Sequence, residues 1–315
     1  MTRRSRTERA GFSLIEMMVV ITIIAVIMGL LLAAVSKAKE AGYRADTVAR
    51  ITAINTAIGT FKSQTSAKYI PAGQIDIDPN SKTYLQVIGP FRLMSQYPPV
   101  TTSNPNDLNV NCYEAAYIAT LFTNSNPSNF GGSISTTLDA NQTLLFFLNG
   151  IQMPDGKGGT VFIGFSSNPQ YPFNPLASGG VENRKGPYLE LTPNRYLVDS
   201  SPTAFARLID GWGNPFAYFS SYNGRANLYG QGASAGNNPN WHYTNKAGQA
   251  AGMPAPYQAN AAATPTAFVN PSGWQIISPG KDGVFGATGN WSNVDNNGQD
   301  DLSNFTDSYV GNGPN

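Results

Sequence analysis

The chain has 315 residues, a formal net charge of +1, and 12% charged against 41% hydrophobic side chains. A near-neutral chain whose arginines cluster at one end has no basic face for nucleic acid, so nucleic acid is not expected as a partner. A single cysteine, Cys112, and a single histidine, His242, exclude an internal disulfide, a CxxC centre and a multi-histidine metal site, and leave little for a nucleophile–base pair.

In chain order, the first feature is the arginine group Arg3, Arg4, Arg6 and Arg9, opposed only by Glu8. From Phe12 to Val35 the side chains are apolar or small, interrupted only by Ser13, Glu16 and Thr22. About 20 helical residues cross the ~30 Å hydrocarbon core, so this run is long enough for a transmembrane helix. The basic prefix holds its start on the cytoplasmic side and exports the bulk of the chain. A secretory signal peptide has a shorter apolar run ending in a small-residue cleavage site, which does not match. Glu16 stands out because an ionisable group in a span is expensive and marks a function; the plain alternative is an ordinary anchor with a glutamate near the interface.

Gly11-Phe12-Ser13-Leu14-Ile15-Glu16 resembles the processing site of type IV prepilins and type II secretion pseudopilins, which a prepilin peptidase cuts after the glycine before methylating the new amino terminus. The resemblance implies that residues 1–11 are a leader, Gly11 its last residue, Phe12 the mature N-terminus, and Glu16 the acid that pairs with the terminal amine of a neighbouring subunit. A buried ammonium needs such a partner.

Beyond the span, Val48, Ile51, Ile54 and Ile58 keep helical spacing, so the helix is expected to run on to about Ser63. Over residues 12–63 it would measure about 78 Å at ~1.5 Å per residue. Pro71 and Gly73 end the pattern. Residues 64–180 are read as a helical and loop insertion of the head: apolar runs at Tyr84–Ile88 and Tyr113–Phe122, then a short helix after Thr137 with Asp139 as N-cap and Gly150 as stop. Asp76 and Asp78 form a carboxylate pair before Pro79, read as exposed loop acids rather than a glycosidase pair. Expected strands are Thr160–Phe165, Tyr188–Leu191, Tyr196–Val198, Phe216–Phe219 and Trp274–Ser278, enough for a small antiparallel sheet within 181–315. Residues 221–270, dense in Ala, Asn, Gly and Pro, read as a surface excursion. Cys112 is expected as a small buried hydrophobe and His242, between Trp241 and Tyr243, in a packing or surface role.

Three C-terminal segments, Lys185-Gly186-Pro187-Tyr188-Leu189, Asp210-Gly211-Trp212-Gly213-Asn214-Pro215-Phe216-Ala217-Tyr218, and Ile277-Ser278-Pro279-Gly280-Lys281-Asp282-Gly283 followed by Gln299-Asp300-Asp301-Leu302, are similar in kind and order to segments of the major pseudopilin of type II secretion. That resemblance implies a calcium ion in the last loop, with Asp282, Asp300 and Asp301 as ligands. An insertion at Ala287–Asn297 separates the two halves here, so Asp295 can substitute for one of them. Calcium takes six to eight oxygens, and a glycine-rich loop turns carbonyls inward; the same acids also suit plain turns. No twelve-residue EF-hand register is present.

These readings converge on an α+β, pilin-like fold: a long N-terminal transmembrane helix packed on a small antiparallel head with loop insertions. The resemblance implies a non-enzymatic subunit of a type II secretion pseudopilus, anchored once in the inner membrane with its head in the periplasm. It would then assemble with itself and other pseudopilins through an inner-membrane platform. A type IV pilus subunit or a minor tip pseudopilin is the nearest alternative, since major pseudopilins are usually shorter; a membrane-tethered glycan-binding or hydrolytic protein is the alternative of another class.

Overall fold

The computed structural model describes residues 11, 13–65, 67–72, 74–76, 87–88, 137–157, 159–167, 183–198, 205–221, 224, 226–227, 229, 245–252, 254–260, 267–287 and 289–311. Residues 1–10 of the leader, Phe12, Asp78, Cys112, the Tyr113–Phe122 run and His242 lie outside the described residues. The chain divides into two compact units, Met1–Tyr43 and Arg44–Asn315.

Helix α1, Leu14–Thr65, is a single 52-residue helix. In the first unit its apolar side chains are open all round, with Leu14, Leu30 and Leu32 each more than 70% exposed. In the second unit it buries one face, Thr47, Arg50, Ile51, Ile54, Ala57, Ile58 and Phe61, at the three- and four-residue spacing of an amphipathic helix. The buried Arg50 is matched locally: Nη2 pairs with Asp46 at 2.7 Å, and Nη1 donates to the carbonyls of Asn194 and Ile209.

Strands β1 (Gln74–Asp76), β2 (Val87–Ile88) and β3 (Thr137–Leu138) form an antiparallel sheet in the order β2-β1-β3. Helix α2, Ala140–Asn149, follows and is buried on every side. Asp139 caps it through a reciprocal box: its Oδ1 accepts the N–H of Gln142, whose Oε1 accepts the N–H of Asp139. Gly150, at φ 74°, ends it. A helix buried all round must satisfy its polar groups internally, and this one does so except at Oδ1 of Asn149, which is buried without a partner. Asn141 donates to the carbonyls of Leu208 and Phe216 and accepts the N–H of Leu208, while Gln142 donates to Phe205 and Asn149 to Leu189.

Beyond α2 come β4 (Gln152–Pro154), β5 (Thr160–Phe162), β6 (Phe165–Ser166) and β7 (Arg184–Lys185), paired as β4-β5 and β6-β7. Three left-handed glycines stack at their start. A Cβ on Gly150 would collide with Gly164, and one on Gly164 with the carbonyls of Lys185 and Gly186, so only glycine allows these backbones to touch. Tyr188–Leu191, expected as a strand, is instead a loop. Its polar backbone is spoken for by the end of α2: the N–H of Tyr188 donates to Leu148, and the carbonyl of Leu189 accepts from Asn149.

Strands β8 (Tyr196–Leu197) and β9 (Arg207–Leu208) pair with each other; β10 (Ala217–Ser220) pairs with the five-residue β13 (Trp274–Ser278), which pairs in turn with β14 (Leu302–Ser303). The main core gathers around α2, where Phe146 meets Phe147 and Phe165 edge-to-face at 5.6 and 5.2 Å, and Phe61 of α1 meets Phe147 at 5.9 Å. α2 therefore lies at the centre of the head rather than in an appended insertion. The stretch 221–270 also departs from expectation. It contributes β11 (Gln258–Asn260), paired with β12 (Ala267–Phe268), and its Tyr229, Ala251, Tyr257 and Phe268 build a second core with Phe219, Ile277 and Phe285. A few widely spaced aromatics suffice because each buries a large area.

Candidate functional site

Two places carry chemistry. At the N-terminus, Gly11 is exposed and precedes the helix, and a Cβ there would meet nothing within 4 Å. Among the described residues, none lies close enough to require glycine at this position. Ser13 and Glu16 cap the start of the helix: Oε2 of Glu16 accepts the N–H of Ser13 at 2.9 Å, and Oγ of Ser13 accepts the N–H of Ile15 at 3.4 Å. Glu16 is exposed among apolar neighbours, and Thr22 satisfies its own hydroxyl on the Met18 carbonyl.

The second place is the C-terminal loop. Oδ2 of Asp300 accepts the N–H groups of Lys281 and Asp282 at 2.7 and 3.0 Å, and Oδ1 of Asp282 accepts the N–H of Val284. Partial burial, then the neighbouring Asp300 and Asp295, push the Asp282 carboxyl upward against that N–H. The insertion is pinched off at a waist. Oδ1 of Asp295 accepts the N–H groups of Ala287 and Gly298, both at 3.0 Å, and Gly286 and Gly298 pass so close that a Cβ on either would strike the other. Beyond the waist the insertion rests on β11, where Gln258 exchanges hydrogen bonds with Gly289 and Trp291.

Asp301 faces inward and is fully buried. Its Oδ2 accepts the Tyr257 hydroxyl at 2.7 Å and the Gly286 N–H at 3.1 Å, while Oδ1 is buried without a partner. Burial pushes its carboxyl up to about 8, against the hydrogen bonds from Tyr257 and Gly286, with Asp300 and Asp282 adding to the rise. Burial, then Asp301, raises the Tyr257 phenol as well.

The structure thus brings Asp282 and Asp300 into one loop and sets Asp295 at the waist and Asp301 in the interior. Among the described residues, no three His, Cys, Asp or Glu side chains converge as a preformed metal cluster. The donor set nevertheless suits a hard cation: Oδ2 of Asp282, Oδ1 of Asp300 and Oδ2 of Asp295 accept no hydrogen bond among the described residues, and one buried oxygen of Asp301 is unpartnered. Tyr257 and the glycine waist were not singled out in the sequence, because neither residue type is a metal ligand there.

Compared with known proteins, residues 6–32 match the model of the prokaryotic N-terminal methylation motif. No curated protein and no solved structure matches the chain. The matched segment contains Gly11, Ser13, Glu16 and most of the apolar run, and it marks a pilin-like or pseudopilin signal handled by a prepilin peptidase. It points to a structural protein with a membrane-anchoring helix. The α+β architecture, a long apolar N-terminal helix with small antiparallel sheets, is consistent with a pilin-like fold.

Proposed function

We propose that the chain is a subunit of a type II secretion pseudopilus, cut between Gly11 and Phe12, methylated on Phe12, and drawn from the inner membrane into a periplasmic fibre that promotes protein export. The observation carrying this reading is the methylation motif at residues 6–32 lying on the start of a helix whose apolar side chains are open on every side. Such a surface is stable only in lipid or against copies of itself. Glu16 then serves twice, first capping its own helix and then meeting the amine of a neighbouring subunit inside the fibre, where an unpaired charge is costly. Partners are other copies of the chain, other pseudopilins, the peptidase and the assembly platform.

Calcium belongs to the same reading. Asp282, Asp300 and Asp295, with Asp301 behind them, would hold the ion, whose charge would offset the burial, and after it the carboxylate repulsion, that raises Asp282 and Asp301.

Mass spectrometry of the mature protein tests the proposal: loss of residues 1–11 and gain of one methyl group are expected. A mature protein that keeps its arginine-rich prefix overturns it. Isolated fibres then separate a secretion pseudopilus from a surface pilus, and a monomeric glycan-binding membrane protein would support the other class.

A further inference from the structure

We propose that the buried carboxylate of Asp210 is the joint through which closure of the 280–283 loop is felt by α1. Asp210 is 1% exposed, and among the described residues no lysine, arginine or histidine forms an ion pair with it. Its charge is held by neutral donors from two segments. Oδ1 accepts the N–H groups of Trp212 and Asn214 at 2.9 and 2.8 Å; Oδ2 accepts the Ser278 hydroxyl at 2.6 Å. A simple turn is served by one acceptor oxygen, and asparagine would supply that without burying a charge. Two acceptor oxygens are needed only because Asp210 joins the 210–214 turn to the end of β13.

From that joint, contacts run both ways. Toward the loop, Oγ of Ser278 accepts the Gly280 N–H at 3.1 Å, Asn214 donates to the Gly280 carbonyl at 3.0 Å, and Gly283 sits so close that a Cβ on it would press on Asn214 and Asn245. The loop itself is latched by Asp300 through the N–H groups of Lys281 and Asp282. Toward α1, the Gly211 N–H donates to Oγ1 of Thr47 at 2.9 Å, and the Ile209 carbonyl accepts from Arg50 at 2.8 Å. Release of the Asp300 latch would free the loop, and the turn that carries Asp210 touches both that loop and the helix. The geometry stands whether or not a cation occupies the loop.

Amide hydrogen exchange of the full-length chain in detergent micelles, read on peptides covering residues 44–53 and 209–216, tests this. Unlatching the loop with Asp300→Ala is expected to speed exchange in both peptides by about tenfold. In a Ser278→Ala/Asn214→Ala background, which removes both side-chain links between the loop and the turn, the same substitution is expected to add nothing further. Thr47→Val, which leaves the buried carboxylate alone and keeps the Arg50–Ile209 contact, is expected to weaken the response of 44–53 while 209–216 still responds in full, and it decides the matter if the double background does not fold. Faster exchange confined to residues 279–303, or an unchanged response of 44–53 in Thr47→Val, overturns the proposal.

Discussion

Asp300 latches the loop that carries Asp282, taking the backbone N–H of Asp282 at 3.0 Å on one carboxylate oxygen and leaving the other clear of hydrogen bonds among the described residues. The two carboxyl groups are therefore held as neighbours by the backbone, at a cost, in burial first and in repulsion after it, that shows as the raised Asp282. A bound divalent cation would remove that cost. Calcium at a hundred times its Kd stabilises a folded state by about 2.7 kcal/mol, so the melting temperature is expected to fall when chelator is added and to become insensitive to chelator in Asp282→Ala. A wild-type melting curve indifferent to chelator rules the ion out.

Asp295 is expected to separate its two roles by substitution. Asp295→Ala removes the acceptor for two N–H groups at the waist and should lower stability by about 1–2 kcal/mol even in chelator. Asp295→Asn keeps that acceptor, so in chelator it should melt with the wild type and differ only when calcium is present. Equal melting of the asparagine variant and wild type with calcium present would show that Asp295 closes the waist and nothing more.

The Asp210 carboxyl gives a pH signature. Burial pushes it up to about 6 from the ordinary 3.8 of an aspartate, against the hydrogen bonds of Ser278, Asn214, Trp212 and Gly213. A raised folded-state value means the folded protein holds the proton more tightly, so this contribution is complete below about pH 4 and is lost as pH rises through about 6. It amounts to about 3 kcal/mol at ~1.36 kcal/mol per pH unit. The stability of wild type relative to Asp210→Asn should fall by that order between pH 4 and pH 7 in urea titrations; a difference flat in pH contradicts the assignment.

Asp139 does three things at one buried position: it accepts the Gln142 N–H, completes the capping box, and pairs with Arg207 at 2.7 Å. Asp139→Ala strips the cap and leaves a nearly buried guanidinium without its carboxylate, for which about 3–5 kcal/mol is expected. Chemical denaturation of the variant measures it, and a loss under about 1 kcal/mol would mean that solvent reaches the site.

Glu16→Gln keeps an acceptor for the Ser13 N–H but carries no charge. The variant is expected to insert in the membrane and lose its leader normally, yet to be absent from isolated fibres; Glu16→Ala should fail in the same way. Fibres containing either variant at wild-type levels would remove the proposed pairing with a neighbouring amine.

Much of the local structure was legible in the sequence where short-range physics decides it. Asp139, Gln142 and Gly150 announce both ends of α2, the β-branched and aromatic run at Trp274–Ser278 is a strand to the residue, and the apolar periodicity carries α1 to within two residues of its end at Thr65. Long-range partners decided the rest. Tyr188–Leu191 has a strand's composition, but its backbone is claimed by Leu148 and Asn149. The second core escaped notice because Tyr229, Tyr257 and Phe268 are scattered through a polar stretch and meet only in three dimensions. The N-terminal motif could be read because it lies on one contiguous segment, residues 6–32. The acids of the C-terminal loop could be named, but their division into latch, waist and interior could not.

The waist formed by Gly286, Gly298 and Asp295 makes the residues between them a closed loop, which rests on β11 through Gln258 and exposes Ser292 and Asn293 at its tip. An addition at that tip is expected to leave the latch in place, since the two ends of the loop meet at a point the rest of the head already holds still. A fluorophore or epitope grafted at its tip should ride on the head as a passenger, giving a handle for watching single subunits enter and leave a fibre.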